Sequence, residues 1–202
     1  MLTAPEFFQA ARWFPIAFSR AGESGPLVAV AITSFLPGQN RFVDEAGEWE
    51  PGVYIPAYVR RYPFHTVSVE RGGTEPDFLL CVDESGLDAN APALFDAKGR
   101  PSREWGEMEQ LIRDMEVSRR QTQRLLDTLD ELELVDTFEA QGLETQGRAM
   151  RLGNLFRVNE DRLNALPGRT VKALMALGAL PRIYAHLWSL DNFAFLLDRE
   201  AR

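Results

Sequence analysis

At 202 residues the chain is long enough to bury a substantial core without disulfide or metal staples, and 22 Lys+Arg against 30 Asp+Glu leave a net charge of −8. That charge repels phosphate backbones and anionic lipid at long range, so nucleic acid is excluded as an expected partner. Cys81 is the only cysteine, residues 1–6 lack a basic, apolar leader, and no run nears the ~20 apolar residues that span a bilayer, so the expected location is the cytoplasm.

Taken in order, residues 5–11 have helical character, with Phe7, Phe8 and Ala11 on a short apolar face. Residues 13–18 read as a strand, Pro15 favouring a strand start or an edge. After a turn at Gly22 and Gly25-Pro26, the β-branched run 27–35 reads as a buried strand, and the two are expected to pair as a hairpin. Residues 41–44 read as a third short strand, followed by a turn over 44–47.

Residues 54–64, Tyr-Ile-Pro-Ala-Tyr-Val-Arg-Arg-Tyr-Pro-Phe, place four aromatic rings, two adjacent guanidinium groups and two prolines together. Pro56 suits the first turn of a helix and Pro63 disfavours helical geometry at Tyr62, so a helix of under two turns fits between them, with Tyr58 and Tyr62 on one face. As a strand, the same residues would line up Tyr58, Arg60, Tyr62 and Phe64 instead. The short helix is the preferred reading.

Residues 65–70 alternate as a strand does, Gly72-Gly73 marks a turn, and 77–83, apolar on both faces, is the expected central strand. Residues 84–93 read as a loop and 94–100 as a short strand and turn. Ser102 is the expected N-cap of a long helix over 103–133, whose apolar stripe is interrupted by Ser118, Arg119, Gln121 and Thr122. Residues 137–140 and 148–158 form a strand pair around a loop with Gly142 and Gly147. Asn159 caps a helix over 160–166, a second helix spans 171–177 to Gly178, and Pro181 starts a last helix over 182–199. Strands first, a long helix, two strands and then helices predict an α+β fold: a largely antiparallel sheet with one long helix and a helical C-terminal region. The expected organisation is one domain over 1–202, strand-rich at 13–100, with the long helix at 103–133, the strand pair at 136–158 and the last helices at 160–199.

The chemistry is sparsely marked. His65, His186 and Cys81 are the only soft ligands, which argues against structural zinc and assigns no metal residue, while the 30 acidic residues, read first as a solvated surface, leave a carboxylate-bound iron or magnesium site open. Neither a G-x-S-x-G elbow nor a phosphate-binding glycine loop occurs. Cys81, in an apolar strand, reads as a buried small hydrophobe, and His186, between Tyr184 and Trp188, as structural. The best binding candidate is the aromatic–arginine stretch: Arg60 or Arg61 as a bidentate fork for a carboxylate or phosphate, with Tyr58, Tyr62 and Phe64 as walls. The competing reading packs those rings into the core and pairs the arginines with Asp44 or Glu70. Arg119 with Thr122 is a second candidate, against a solvent-facing helix stripe. Leu190, Phe193, Phe195 and Leu196 form an apolar end that covers either the core or a partner.

Six segments resemble the bacterial SapC family: 6–18 with Phe14-Pro15-Ile16-Ala17-Phe18; Asn40-Arg41-Phe42-Val43; the 54–64 run, which is the most specific; Leu80-Cys81-Val82-Asp83-Glu84; 156–167 with Phe156-Arg157-Val158-Asn159-Glu160; and 183–190 with His186-Leu187-Trp188. The family takes its name from a protein linked to a bacterial surface layer, and members carry a peptide-transport permease label that conflicts with a chain lacking a membrane span. The resemblance also implies gene neighbours encoding TonB-dependent receptors and halogenase-like proteins, hence an accessory role in nutrient uptake. It assigns no cofactor and no catalytic residue. The leading expectation is a non-enzymatic accessory protein that binds a small carboxylate-bearing molecule or a peptide. One alternative is an interaction subunit docking on a partner enzyme or surface-layer export component through its last helix; another is an enzyme with a carboxylate-bound metal.

Overall fold

The computed structural model describes residues 1–20, 22, 25–69, 77–88, 90–143, 147 and 149–200. In chain order the elements are α1 (Phe7–Ala10), β1 (Ile16–Arg20), β2 (Leu27–Ala31), α2 (Ala57–Arg60), β3 (Phe64–Val69), β4 (Asp77–Val82), α3 (Arg103–Glu131), β5 (Val135–Leu143), β6 (Ala149–Val158), α4 (Glu160–Asn164), α5 (Gly168–Ala176), α6 (Ala179–Ser189) and α7 (Asn192–Glu200). The fold is α+β with antiparallel sheets, as the sequence predicts. The chain forms two compact units: Met1–Pro56 with Ser118–Arg202, and Ala57–Val117 between them in sequence.

The first unit is built on a four-stranded antiparallel sheet in the order β2-β1-β6-β5. The expected β1–β2 hairpin forms, pairing Ile16 with Ala31 and Arg20 with Leu27. The expected β5–β6 pair forms as well, Val135 opposite Val158. The hairpins join at Phe18 and Phe156. Ile16, Ala17 and Phe18 are buried in succession, because β1 is an inner strand covered on both faces. Around them pack Phe7, Phe14, Leu126, Leu129, Leu174 and Ile183, all nearly solvent-free. Such a core carries most of the stability, at about 25 cal/mol per Å² of apolar surface buried.

Capping follows the sequence closely. The Trp105 N–H donates to Ser102 Oγ at 3.1 Å at the start of α3, and the Arg162 N–H to Asn159 Oδ1 at 2.9 Å at the start of α4. Gly178, at φ 70°, separates α5 from α6 as its sequence position predicts. In the polar break of the α3 stripe, Thr122 is buried: its Oγ1 donates to the Ser118 carbonyl at 2.6 Å and accepts the Ala4 N–H at 2.7 Å. Thr122→Val preserves the shape but orphans that N–H, so it is expected to cost about 1–2 kcal/mol in denaturant unfolding, whereas Thr122→Ser keeps the hydroxyl and avoids most of that loss.

Four expectations are corrected. The segment 77–83 is not a central strand: among the described residues β4 pairs with β3 alone, and Leu79, Leu80 and Val82 are exposed. Cys81 is half-buried rather than buried. Residues 41–44 and 94–100 give only isolated bridges, Val43 to Trp49 and Phe95 to Pro101. The last helix is two helices, α6 and α7, because Asn192 Nδ2 donates to the carbonyls of Ala11 at 2.8 Å and Phe14 at 3.1 Å and turns the chain there. That turn lets Phe193 reach both Phe35 and Phe138, at 5.8 and 6.0 Å between ring centres. The glycine turn expected at 72–73 lies outside the described residues.

In the second unit, β3 and β4 form a two-stranded hairpin, His65 opposite Cys81. Phe64 and Phe95 pack on Trp105 of α3 at 5.2 and 5.5 Å, and Thr66 Oγ1 donates to the Glu116 carboxylate. These contacts give the hairpin the support that an isolated one lacks in water.

Candidate functional site

The 54–64 stretch is a short helix, α2, as preferred from its prolines. After it the chain tightens, the Arg61 N–H donating to the Ala57 carbonyl at 3.0 Å and the Tyr62 N–H to the Val59 carbonyl at 3.0 Å. Tyr58 and Arg61 fall three residues apart, on neighbouring positions of the helical surface. The Arg61 guanidinium lies 4.6 Å from the Tyr58 ring centre, a cation–π stack that fixes the fork and leaves its edge N–H groups available. Tyr58 and Tyr62 are 44% and 56% exposed, so these rings are not core. Arg60 is exposed and already partnered, and Phe64 is taken up by Trp105.

The Tyr62 hydroxyl lies 3.2 Å from Ser85 Oγ, which with its own backbone N–H donates to Asp83 Oδ1 at 2.7 and 3.0 Å. Those two bonds from Ser85 hold the Asp83 carboxyl below its ordinary range. Beneath the stretch lies Gly86, where a Cβ would stand 2.5 Å from Pro63 Cβ and 2.8 Å from the Tyr62 ring, so only glycine seats it. Of the second candidate pair, Arg119 is partnered and Thr122 is committed to Ala4 and Ser118 within the other unit.

The buried polar residues of the first unit serve the fold. His186 is fully buried; Nδ1 donates to the Ile16 carbonyl at 2.8 Å and Nε2 accepts the Val158 N–H at 3.1 Å. Continuing the Phe18–Phe156 register, Ile16 and Val158 are the next antiparallel rung, so the imidazole stands in for the missing strand–strand bond. Ser189 Oγ accepts the Ile16 N–H at 2.8 Å and donates to the His186 carbonyl, so this serine and histidine form no nucleophile–base pair. Ser189 and Glu200 carry no signal in sequence that marks them as buried. Among the described residues, no three His, Cys, Asp or Glu side chains stand close enough together to hold a metal ion, and no helix is long and apolar enough to cross a membrane.

Fold and site together define an α+β protein: one unit is a helix-covered antiparallel sheet, and the other, inserted in sequence, is a hairpin unit that displays aromatic and arginine side chains. The SapC family model matches residues 1–196, nearly the whole chain, and the chain belongs to the SapC family. No curated protein and no solved structure matches it significantly.

Proposed function

We propose that this SapC-family protein is a non-enzymatic accessory protein of the cytoplasm that binds a carboxylate-bearing peptide segment of a partner through its second unit. The observation that carries this is the distribution of exposed apolar side chains. More than half of the large exposed hydrophobics among the described residues fall in the shorter unit, including Tyr58, Tyr62, Val67, Leu79, Leu80 and Val82. A strand apolar on both faces, with one edge that pairs with no other strand among the described residues, favours an added strand from another chain, main-chain bonds giving affinity and side chains specificity. Arg61, stacked on Tyr58 beside that hairpin, supplies a fork for an acidic side chain or a terminal carboxylate.

Native mass spectrometry of the protein from its own host tests this. The expected result is a stoichiometric complex that is lost in Leu79→Lys and weakened at least about tenfold in the Arg60→Ala/Arg61→Ala double variant, the scale of a lost charge-assisted pair. A complex indifferent to both variants overturns the reading. A second reading, docking through the helical end, is favoured by Trp188, which is 77% exposed with Tyr184 one turn before it on α6. It expects Trp188→Ala, and not Leu79→Lys, to release the partner.

A further inference from the structure

We infer that the first unit holds a separate binding site for a zwitterionic small molecule with an apolar body, of the size and charge pattern of a free α-amino acid. A cleft of about 320 Å³ is lined by Arg12 and Trp13, which follow α1, by Phe42, and by Asn192, Phe195, Asp198 and Arg199 of α7. That volume lies at the small end for ligand pockets, which run from roughly 300 to 1,000 Å³, and suits a single amino acid better than a nucleotide or a long peptide.

The charges define the class. Arg12 and Asp198 line the same cleft with opposite signs, yet neither side chain makes a hydrogen bond or an ion pair among the described residues. Asn192 has its amide orientation set, because Nδ2 spends its two donors on the Ala11 and Phe14 carbonyls; Oδ1 is left as an acceptor. Arg199 is held rigidly, Nη1 donating to Glu50 Oε2 at 2.7 Å and to the Arg41 carbonyl at 3.3 Å, with its guanidinium 4.4 Å from the Phe42 ring centre. Its remaining N–H groups stay on offer. The cleft therefore presents cationic donors, one free carboxylate and one fixed acceptor. An inorganic anion meets Asp198 unfavourably, and a simple organic cation meets two guanidinium groups. A zwitterion satisfies both signs, its carboxylate on Arg12 and Arg199 and its ammonium on Asp198 and Asn192 Oδ1. Its apolar side chain lies against Trp13 and Phe195, the latter 65% exposed with nothing covering it.

Isothermal titration calorimetry on the full chain tests this with three probes: L-phenylalanine, 3-phenylpropanoate, which lacks the ammonium, and phenethylamine, which lacks the carboxylate. L-Phenylalanine is expected to bind saturably, and each single-charge analogue at least about tenfold more weakly, one tenfold step being the usual worth of a charge-assisted pair. Arg12→Ala is expected to lower L-phenylalanine affinity about tenfold and abolish its advantage over phenethylamine, and Asp198→Asn to abolish its advantage over 3-phenylpropanoate. Both variants alter unpartnered surface side chains and leave the thermal midpoint unchanged. The Arg60→Ala/Arg61→Ala variant is expected to bind L-phenylalanine as the parent does, which separates this site from the peptide surface. The inference is overturned if L-phenylalanine gives no saturable heat, if the three probes bind equally, or if both cleft variants bind it unchanged.

Discussion

Taking the protein from pH 7 to pH 4 is expected to cost the folded state about 3 kcal/mol through His186 alone. Burial is the main reason: the ring has no water to solvate a charge, and nearby Arg157 opposes one, while the bond to the Ile16 carbonyl only partly offsets them. The bonding adds a geometric reason, since a second proton would sit on Nε2, facing the Val158 N–H. The folded-state pKa falls from 6.5 to about 4. Above the higher value neither state is charged and the stability is intact. Between the two, the unfolded chain binds a proton that the folded chain refuses, and stability falls as the pH falls. Against a typical total of 5–15 kcal/mol this is a large fraction. His186→Gln keeps one donor and one acceptor without titrating, so its unfolding midpoint is expected to stay flat across this window where the parent declines. Equal slopes for the two proteins would remove His186 as the cause. His186→Ala leaves both rung groups unpaired and opens a void beside Phe18, stacked on the ring at 4.5 Å, for an expected loss of about 3–5 kcal/mol.

Glu200 is the second large effect. Its carboxylate, at the end of α7, accepts bonds from Ser34 Oγ at 2.6 Å, the Phe35 N–H at 2.7 Å and Arg41 Nε at 2.7 Å, and the residue is only 8% exposed. Burial alone would raise its pKa, but these hydrogen bonds and the Arg41 charge outweigh burial and hold the carboxyl below its ordinary value of 4.5. Its contribution is therefore present above that value and is lost as the pH drops beneath it, on the acid side of the histidine's window. Glu200→Ala strands three donors, one of them a guanidinium, and is expected to lower stability by about 3 kcal/mol in urea unfolding, Glu200→Gln by less. A Glu200→Ala protein with an unshifted midpoint would show that water serves those donors equally well.

Much of the fold was legible because local rules carried it. Ser102 and Asn159 announce their helices by capping, Gly178 breaks one, and the β1–β2 pairing follows from two apolar runs about a turn. What failed depended on distant partners. Residues 77–83 are apolar on both faces, and that pattern belongs equally to a strand buried at the centre of a sheet and to one left open for a partner; periodicity does not say what covers a face. No glycine or proline marks the break between α6 and α7, because Asn192 makes it by reaching back to Ala11 and Phe14. The candidate stretch divides along the same line. The short helix and the Tyr58–Arg61 neighbourhood follow from proline placement and helical spacing, whereas the diversion of Phe64 onto Trp105 and the burial of Thr122 under Ala4 are long-range packing. The cleft joining Arg12 to Asp198 brings together opposite ends of the chain and has no local signature at all.

The joining of the two hairpins only at Phe18 and Phe156 has a consequence for biosynthesis. On the ribosome, β1 and β2 emerge together, but the strand that closes the other side of β1 is not made until β6. At about 5–20 residues per second, that side stays open for roughly 6 to 24 seconds while the intervening segment is synthesised. An unpaired edge of Ile16-Ala17-Phe18 is sticky in that interval. A transcript or protease cut that stops the chain short of β6 would make the interval permanent, so shortened forms of this protein should be found in aggregates or bound to chaperones.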